Sequence, residues 1–449
     1  MNFLDTTFSV KSEEEIMSLE ANINEDGFED ARERTILVGL DSDLSEGWDM
    51  EETMIELKSL VETAGGVVVA EVVQRRQRPD PAYFIGKGKA KEVEIMRQIS
   101  NATLIVFNDE LSPAQVRNLE ENINGKVIDR TQLILDIFAQ RAQTAEGKLQ
   151  VELALLQYLL PRLSGKGLEL SRLGGGSGIG TRRGPGETKL EVDKRVIKTQ
   201  IASIREQLEE VKKRRGVQRS RRVESNIPVI SLVGYTNAGK SSLLNKLTGS
   251  DVFVEDKLFA TLDPVTRRIE LPNNQEALLT DTVGFIQKLP HQVVAAFRAT
   301  LEEVSEADAL IHVVDSQHPK AEEHCAAVYA VLRELNAASK PIITVFNKMD
   351  LEGADAMATK LAHEYPLSVC VSTLTGWGID KLLVKIEEIL SEKRRIIEVL
   401  LPYGNSMISM IHDNGKVLNQ SFVQEGVLIK AEVDKMLADR IDRSIEQNK

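Results

Sequence analysis

Hydrophobic positions along the chain follow two rhythms. Up to about residue 130, short β-branched runs alternate with charged stretches of helical spacing. The runs are ILVGL at 36–40, GVVVAEVV at 66–73 and ATLIVFND at 102–109; the helical stretches include MEETMIELKSLVETA at 50–64 and KAKEVEIMRQIS at 89–100. Such alternation predicts an N-terminal α/β unit built on a parallel sheet. Neither GKGKAK at 86–91 nor GGGSGIG at 174–180 has G-x-G-x-x-G spacing, so nothing supports dinucleotide binding by that unit.

The second rhythm is helical. Leu149, Leu153, Leu156 and Leu160 step by 4, 3 and 4, and Ile197, Ile201, Ile204, Leu208 and Val211 step by 4, 3, 4 and 3. Two heptad seams around one glycine-rich connection predict an antiparallel helical hairpin over 131–222, with Pro161 ending its first helix. The connection, SGKGLELSRLGGGSGIGTRRGPGETK at 164–189, carries Lys166, Arg172, Arg182, Arg183 and Lys189, and the returning helix ends in KKRRGVQRSRR at 212–222. Glycine lets backbone approach a ligand closely, and guanidinium forks match phosphate oxygens. Two readings follow from composition: a probe that enters RNA, or a linker between domains.

Length and charge narrow the class. The 449 residues suggest about three domains. A net charge of −13 argues against nucleic acid as a partner, but residues 141–222 hold nineteen Lys/Arg against nine Asp/Glu, a net of +10 in an otherwise acidic chain. Residues 1–33 hold ten acidic and two basic residues and read as a flexible acidic tail. No apolar run approaches the ~18 residues of a membrane span, and the N-terminus lacks the basic and apolar regions of a secretory signal. The two cysteines, Cys325 and Cys370, cannot build a disulfide framework, so a reducing cytoplasm is the default. A monomer with no membrane span is expected, associated with a membrane peripherally if at all.

Chemistry is concentrated after residue 223. The strand-like VISLV leads into Gly234-Tyr235-Thr236-Asn237-Ala238-Gly239-Lys240-Ser241-Ser242, with a helical pattern behind it. This is G-x-x-x-x-G-K-S in its strand–loop–helix setting: backbone N–H groups wrap phosphates, Lys240 reaches the β- and γ-phosphates, and Ser241 offers a hydroxyl to Mg²⁺. Asp281-Thr282-Val283-Gly284 follows a strand, Asp281 facing Mg²⁺ through water and the Gly284 N–H sensing the γ-phosphate. Asn347-Lys348-Met349-Asp350 follows another: Asp350 accepts from guanine N1 and N2 hydrogens while Asn347 helps with O6 and N7. Ser372-Thr373-Leu374 follows a third and caps O6 with backbone. Adenine lacks the N2 amine and would leave Asp350 poorly paired, so the pocket selects guanine. Between these motifs Phe259-Ala260-Thr261-Leu262-Asp263-Pro264 offers Thr261 as a switch threonine that completes the Mg²⁺ shell while γ-phosphate is present.

These motifs, with FATLDP, DTVGFI and GPGETKLE at 184–191, resemble the HflX family of ribosome-associated GTPases, within the Obg–HflX superfamily, over nearly the whole chain beyond the acidic tail. The resemblance implies GTP hydrolysis, binding to the 50S subunit and its 23S rRNA, separation of stalled or stressed 70S ribosomes, and release governed by GTP or GDP. It also implies that the 164–189 loop reaches toward the peptidyl-transferase region. The expected architecture is multidomain α/β. It comprises the tail (1–33), the N-terminal α/β subdomain (34–130), the hairpin (131–222), a Ras-like P-loop G domain (223–394) and a small α+β C-terminal domain (395–449).

Two details bear on catalysis, for which Lys240, Thr261, Gly284 and Asn237 are the candidates. Phe285 stands where Ras-like enzymes carry the glutamine that orients water, so slow intrinsic hydrolysis stimulated by the ribosome is expected, with Gln287 as a nearby polar group of unknown orientation. Asn237 resembles the P-loop asparagine of K⁺-activated GTPases, where a monovalent cation adds charge beside the phosphates; the alternative is that it only shapes the loop. His312, His318 and His324 have no metal-binding spacing. Two other functions remain open: a GTPase acting in large-subunit assembly, and an RNA-binding module with GTP as a structural clamp.

Overall fold

A computed structural model describes residues 32–42, 49–163, 189–225, 227–249, 257–273, 275–287, 298–391 and 394–447. The acidic tail up to residue 31, and the hairpin loop with Lys166, Arg172, Arg182 and Arg183, lie outside the described residues, as does the side chain of Lys189. Described residues up to Leu208 form one compact unit, and those from Glu209 onward form a second.

The first unit holds a parallel sheet of β1 (Arg34–Asp41), β2 (Val67–Arg75), β3 (Leu104–Phe107) and β4 (Lys126–Asp129) in the order β2-β1-β3-β4. One row across it runs Val72, Val38, Phe107, Asp129. Three strands and the helices α1 (Met50–Thr63) and α2 (Lys87–Ile99) are those the sequence pattern predicts. The sequence reading passed over β4 and α3 (Pro113–Ile123). Yet α3 begins with a capping box, in which Gln115 N donates to Ser112 Oγ at 3.3 Å and Ser112 N to Gln115 Oε1 at 2.9 Å, and Pro113 fills its first turn. The helices α4 (Arg130–Arg141) and α5 (Ala145–Leu159) follow, and a 3₁₀ turn, Leu160–Arg162, carries Pro161 just past the end of α5.

The two heptad seams meet. Leu153, Ile197, Ile201 and Ile204 are buried together, with Leu149, Leu156, Leu160 and Leu208 packed against them. Val211 is not part of that cluster, because the seam ends a turn earlier. The returning helix α6 (Lys189–Ser225) runs unbroken through the basic stretch 212–222, which is helix rather than extended linker. One glycine, Gly216, costs a helix only about 1 kcal/mol, too little to break so long a run.

The second unit is built on a six-stranded sheet, ordered β10-β9-β8-β5-β7-β6. Its strands are β5 (Val229–Gly234), β6 (Val265–Glu270), β7 (Glu276–Asp281), β8 (Ala309–Asp315), β9 (Ile342–Asn347) and β10 (Ser368–Cys370). All neighbours are parallel except β6 and β7. Helices α7 (Lys240–Thr248), α8 (Arg298–Glu306), α9 (Ala321–Glu334), α10 (Ala354–Ala362) and α11 (Ile379–Ser391) complete this layer. Gly234, Asp281, Asp315 and Asn347 all end strands at one edge, where open parallel sheets place their ligands.

The C-terminal segment is richer than two strands and a helix. It holds β11 (Arg394–Leu401), α12 (Ser406–Asn414), β12 (Lys416–Val423), β13 (Gly426–Asp434) and α13 (Lys435–Gln447), with antiparallel order β11-β13-β12. The polar run Asn419-Gln420-Ser421 in the middle of β12, most of which is exposed, makes it hard to see as a strand in the sequence. The segment has its own apolar cluster, from Ile397 to Ile441, and Lys416 pairs with Glu387 of α11 at 2.8 Å.

One buried carboxylate organises the carboxyl edge of the first sheet. Asp129 Oδ1 accepts from Tyr158 Oη at 2.8 Å and Gln132 N at 2.9 Å, while Oδ2 accepts from Leu111 N at 3.1 Å and Arg162 Nη2 at 3.3 Å. Replacing it strands a buried hydroxyl and a guanidinium. Asp129→Ala is expected to destabilise the first unit by about 3 kcal/mol, read as a lowered urea midpoint with the nucleotide affinity of the second unit unchanged.

Candidate functional site

The phosphate loop forms where β5 hands over to α7. Gly239 has φ +97, and a Cβ there would lie 2.3 Å from Asn347 Nδ2, so only glycine fits between the loop and the NKMD motif. Asn237 also takes a left-handed conformation, with φ +60. Lys240 is only 6% exposed, and its Nζ donates to Gly234 O at 3.2 Å and Tyr235 O at 2.8 Å. Burial pushes its ammonium down to about 8, with the Asp281 charge working the other way.

Three oxygens converge below the loop. Ser241 Oγ donates to Asp281 Oδ2 at 2.6 Å, Thr261 Oγ1 donates to the same oxygen at 3.1 Å, and the two hydroxyls lie 2.8 Å apart. Asp281 is fully buried, and burial raises its carboxyl, with Lys240 and then the two hydroxyls opposing. Its Oδ1 is buried and accepts no hydrogen bond from the described residues. Two hydroxyls and a carboxylate with an unsatisfied oxygen form a hard-oxygen donor set that fits Mg²⁺ held partly through water. Among the described residues no group of three or more His, Cys, Asp or Glu side chains is placed to hold a metal ion.

The surrounding pocket is lined by Thr236, Asn237, Gly239, Lys240, Ser241, Ser242, Phe259, Ala260, Thr261, Thr282 and Gly284. Lys257 joins them; the sequence reading missed it because it precedes the FATLDP string. Phe259 and Leu262, each 2% exposed, anchor the chain on either side of Thr261. Gly284 packs tightly: a Cβ would meet Thr236 Cα at 2.9 Å and Lys240 Nζ at 3.0 Å. Thr282 donates to Leu232 O at 2.6 Å and Val283 is buried, so both position the segment by packing. Phe285 is 1% exposed, its backbone bonded to Gly234 O and Thr236 N, which removes it from any polar role. His312 is a core residue, edge-on to Tyr329, and burial holds it down at about 3.

At the base-binding end, Asp350 Oδ1 accepts from Ser372 Oγ at 2.5 Å, and Lys348 Nζ lies 2.6 Å from Asp315 Oδ2. Asn347, placed by its motif near guanine O6 and N7, uses both ends of its amide inside the protein. Nδ2 donates to Ala238 O at 2.9 Å and Oδ1 accepts from Thr373 N at 3.1 Å. It thereby ties the phosphate loop to the Ser372–Leu374 loop. Met349 N donates to Val371 O at 3.3 Å, while Leu374 projects 80% exposed.

Lys240 supplies a pH signature. Below pH 8 the free protein carries its proton and phosphate binding takes up none. At pH 8 about half the molecules must gain a proton on binding, because the incoming anion raises the depressed ammonium again. The binding enthalpy of GDP at pH 8, where the nucleotide phosphates are already ionised, is therefore expected to depend on buffer ionisation enthalpy, and affinity should fall as pH rises above 8. Calorimetry in Tris and in phosphate measures both.

Comparison with known proteins gives the same reading over most of the chain. Residues 51–139 match a family model described as GTP-binding GTPase N-terminal, 141–222 one described as GTP-binding GTPase Middle Region, and 229–348 one described as 50S ribosome-binding GTPase. The chain is 47% identical to GTPase HflX of Caldanaerobacter subterraneus, over 91% of this chain and 93% of that one. To GTPase HflX of Escherichia coli it is 45% identical, over 81% and 84%. Among solved structures, a GTP-binding protein from Sulfolobus solfataricus in complex with GDP is 27% identical, covering 80% of this chain and 99% of that chain with a TM-score of 0.42. With a P-loop, switch threonine and guanine motif gathered at one sheet edge and relatives of this identity along nearly its full length, the chain belongs to the HflX family of GTPases and hydrolyses GTP.

Proposed function

We propose that this GTPase works on the large ribosomal subunit: it binds the 50S particle through 23S rRNA, separates stalled or stressed 70S ribosomes into subunits, and is released when GTP becomes GDP. The observation that carries this reading is the shared oxygen of Asp281, on which Ser241 and Thr261 both converge. Thr261 belongs to a loop and Ser241 to a helix, so filling the space between them with a phosphate and its ion reorganises the loop while the helix stays put. The match to a 50S ribosome-binding GTPase model, and the net +10 of residues 141–222, support RNA of the large subunit as the partner.

In this reading each residue has a stated task. Lys240 turns its ammonium from the Gly234 and Tyr235 carbonyls to the β- and γ-phosphates, and the backbone of Asn237 to Ser242 wraps them. Gly284 offers its N–H to the γ-phosphate at the point where a Cβ would collide. Asp350, aligned by Ser372, accepts the guanine N1 and N2 hydrogens. Ser241, Thr261 and, through water, Asp281 would hold Mg²⁺, which would supply positive charge to the phosphate oxygens. The Asn237 side-chain carbonyl would serve a K⁺ ion, the alternative being that it only shapes the loop. Phe285 leaves the attacking water without a glutamine, so hydrolysis is slow until the ribosome is bound. Among the described residues no helix is long and apolar enough to cross a membrane, and we place the protein in the cytoplasm as a monomer.

Co-sedimentation with purified 50S subunits tests the core of this proposal: binding should be tight with a non-hydrolysable GTP analogue and weak with GDP, and mature 70S particles should separate in the former state. Equal binding in both states refutes it; activity on immature particles alone favours the assembly role. Base selection has its own check. Asp350→Asn exchanges an acceptor for a donor and should weaken GTP about 100-fold while admitting xanthosine triphosphate, whose C2 oxygen accepts where guanine donates. Turnover in KCl and NaCl separates the roles of Asn237; equal rates leave it a loop-shaping residue.

A further inference from the structure

Tyr235 is one of the variable positions of the G-x-x-x-x-G-K-S motif, so the motif assigns its side chain no task. Its side chain is nevertheless 7% exposed and engaged on two sides. On one side its Oη accepts from Gln287 N at 2.8 Å, in the segment that follows Gly284. On the other its ring lies flat on His324 of α9, with centroids 3.7 Å apart and planes within 4°. His318, in the turn before α9, in turn covers His324 at 4.3 Å. Burial, and then the neighbouring His318, hold His324 down at about 3, so the stack on Tyr235 is between uncharged rings at neutral pH.

The phosphate loop and the DTVGFIQ segment are joined at three points in a row. Thr236 N donates to Phe285 O at 2.7 Å, Phe285 N donates to Gly234 O at 3.0 Å, and the Tyr235 hydroxyl takes the next free N–H. Only the third bond runs through a side chain, and only that side chain is braced from behind. The turn that braces it also receives Lys348 of the guanine motif through Asp315, and Ser316 N donates to Asn347 O at 3.2 Å. Residues 315–324, which belong to none of the nucleotide motifs, thus touch the phosphate loop and the base motif, and reach the Gly284 segment through Tyr235.

We propose that Tyr235 is a positioning residue for GTP hydrolysis: its hydroxyl, held in place by the His324 and His318 rings, keeps the backbone after Gly284 in register with the phosphate loop. An unconfined Gly284 segment would sample many positions, of which few present its N–H to the γ-phosphate; the latch confines it beforehand, which lowers the barrier to hydrolysis and leaves the affinity for GDP, which has no γ-phosphate, unchanged. A tyrosine is needed because the reach from the loop to Gln287 N requires a long rigid side chain with an acceptor at its tip.

The test separates positioning from packing. Tyr235→Phe keeps the ring and its stack and removes one oxygen. Single-turnover hydrolysis by the full chain with Mg²⁺ is expected to slow about tenfold, with the affinity for GDP within twofold of the parent. His324→Leu keeps the bulk and loses the flat partner, and should slow hydrolysis by a smaller factor, again at unchanged GDP affinity. The Tyr235→Phe/His324→Leu double variant should be no slower than Tyr235→Phe, since both act through one oxygen. Unchanged or faster turnover in Tyr235→Phe overturns the proposal. So does a parallel loss of GDP affinity, which marks general damage to the loop, or a double variant whose defect is the product of the two.

Discussion

The second unit depends on burying an ammonium and a carboxylate together beneath the loop between β5 and α7. Lys240 and Asp281 both lie in protein rather than water, near enough for each charge to favour the other, yet burial pushes both toward their neutral forms. Each is stabilised by short-range partners: carbonyls of the loop for Lys240, hydroxyls of Ser241 and Thr261 for Asp281. Burial of both charges costs stability, and those partners offset part of that cost.

Around that pair, the loops after the parallel strands are joined to one another more than to solvent. Asn347 joins the phosphate loop to the Ser372–Leu374 loop, Lys348 and Asp315 join two strand ends, and the backbone of Phe285 pairs with that of Gly234 and Thr236. The segment carrying Thr261 is held by the buried side chains of Phe259 and Leu262 and by the hydrogen bond from Thr261 to Asp281.

The first unit uses the same device for a structural end. Asp129 is buried at the carboxyl edge of its sheet, and four donors from four parts of the chain meet its two oxygens. Tyr158, whose hydroxyl is raised by burial and then by the Asp129 charge, stays protonated and so remains a donor. Arg162, stacked over the Tyr158 ring at 3.6 Å, shares its charge between that ring and the carboxylate. A helix entering the hairpin is thereby tied to the sheet through polar groups.

Local sequence alone determined the parallel strands at 36–40, 66–73 and 102–109, the two heptad seams, and the guanine-nucleotide motifs with their order. Each of these is written in neighbouring residues: a run of β-branched side chains, a 4-3 repeat, or a fixed spacing of Gly, Lys and Ser that only one backbone path satisfies. Tertiary structure decided what sequence spacing cannot carry. β12 exists because β13 offers it a partner, since its own residues are mostly exposed and polar Asn419, Gln420 and Ser421 interrupt its apolar ones. Asn347 turns its amide inward because Ala238 and Thr373, distant along the chain, come within reach of its two ends. Tyr235, His318 and His324 mean little as letters; they become a stack because β5 and β8 are adjacent in the sheet and their following loops fall side by side. Periodicity and motif record contacts along a chain, whereas hydrogen bonds between loop ends depend on which strands the fold makes neighbours.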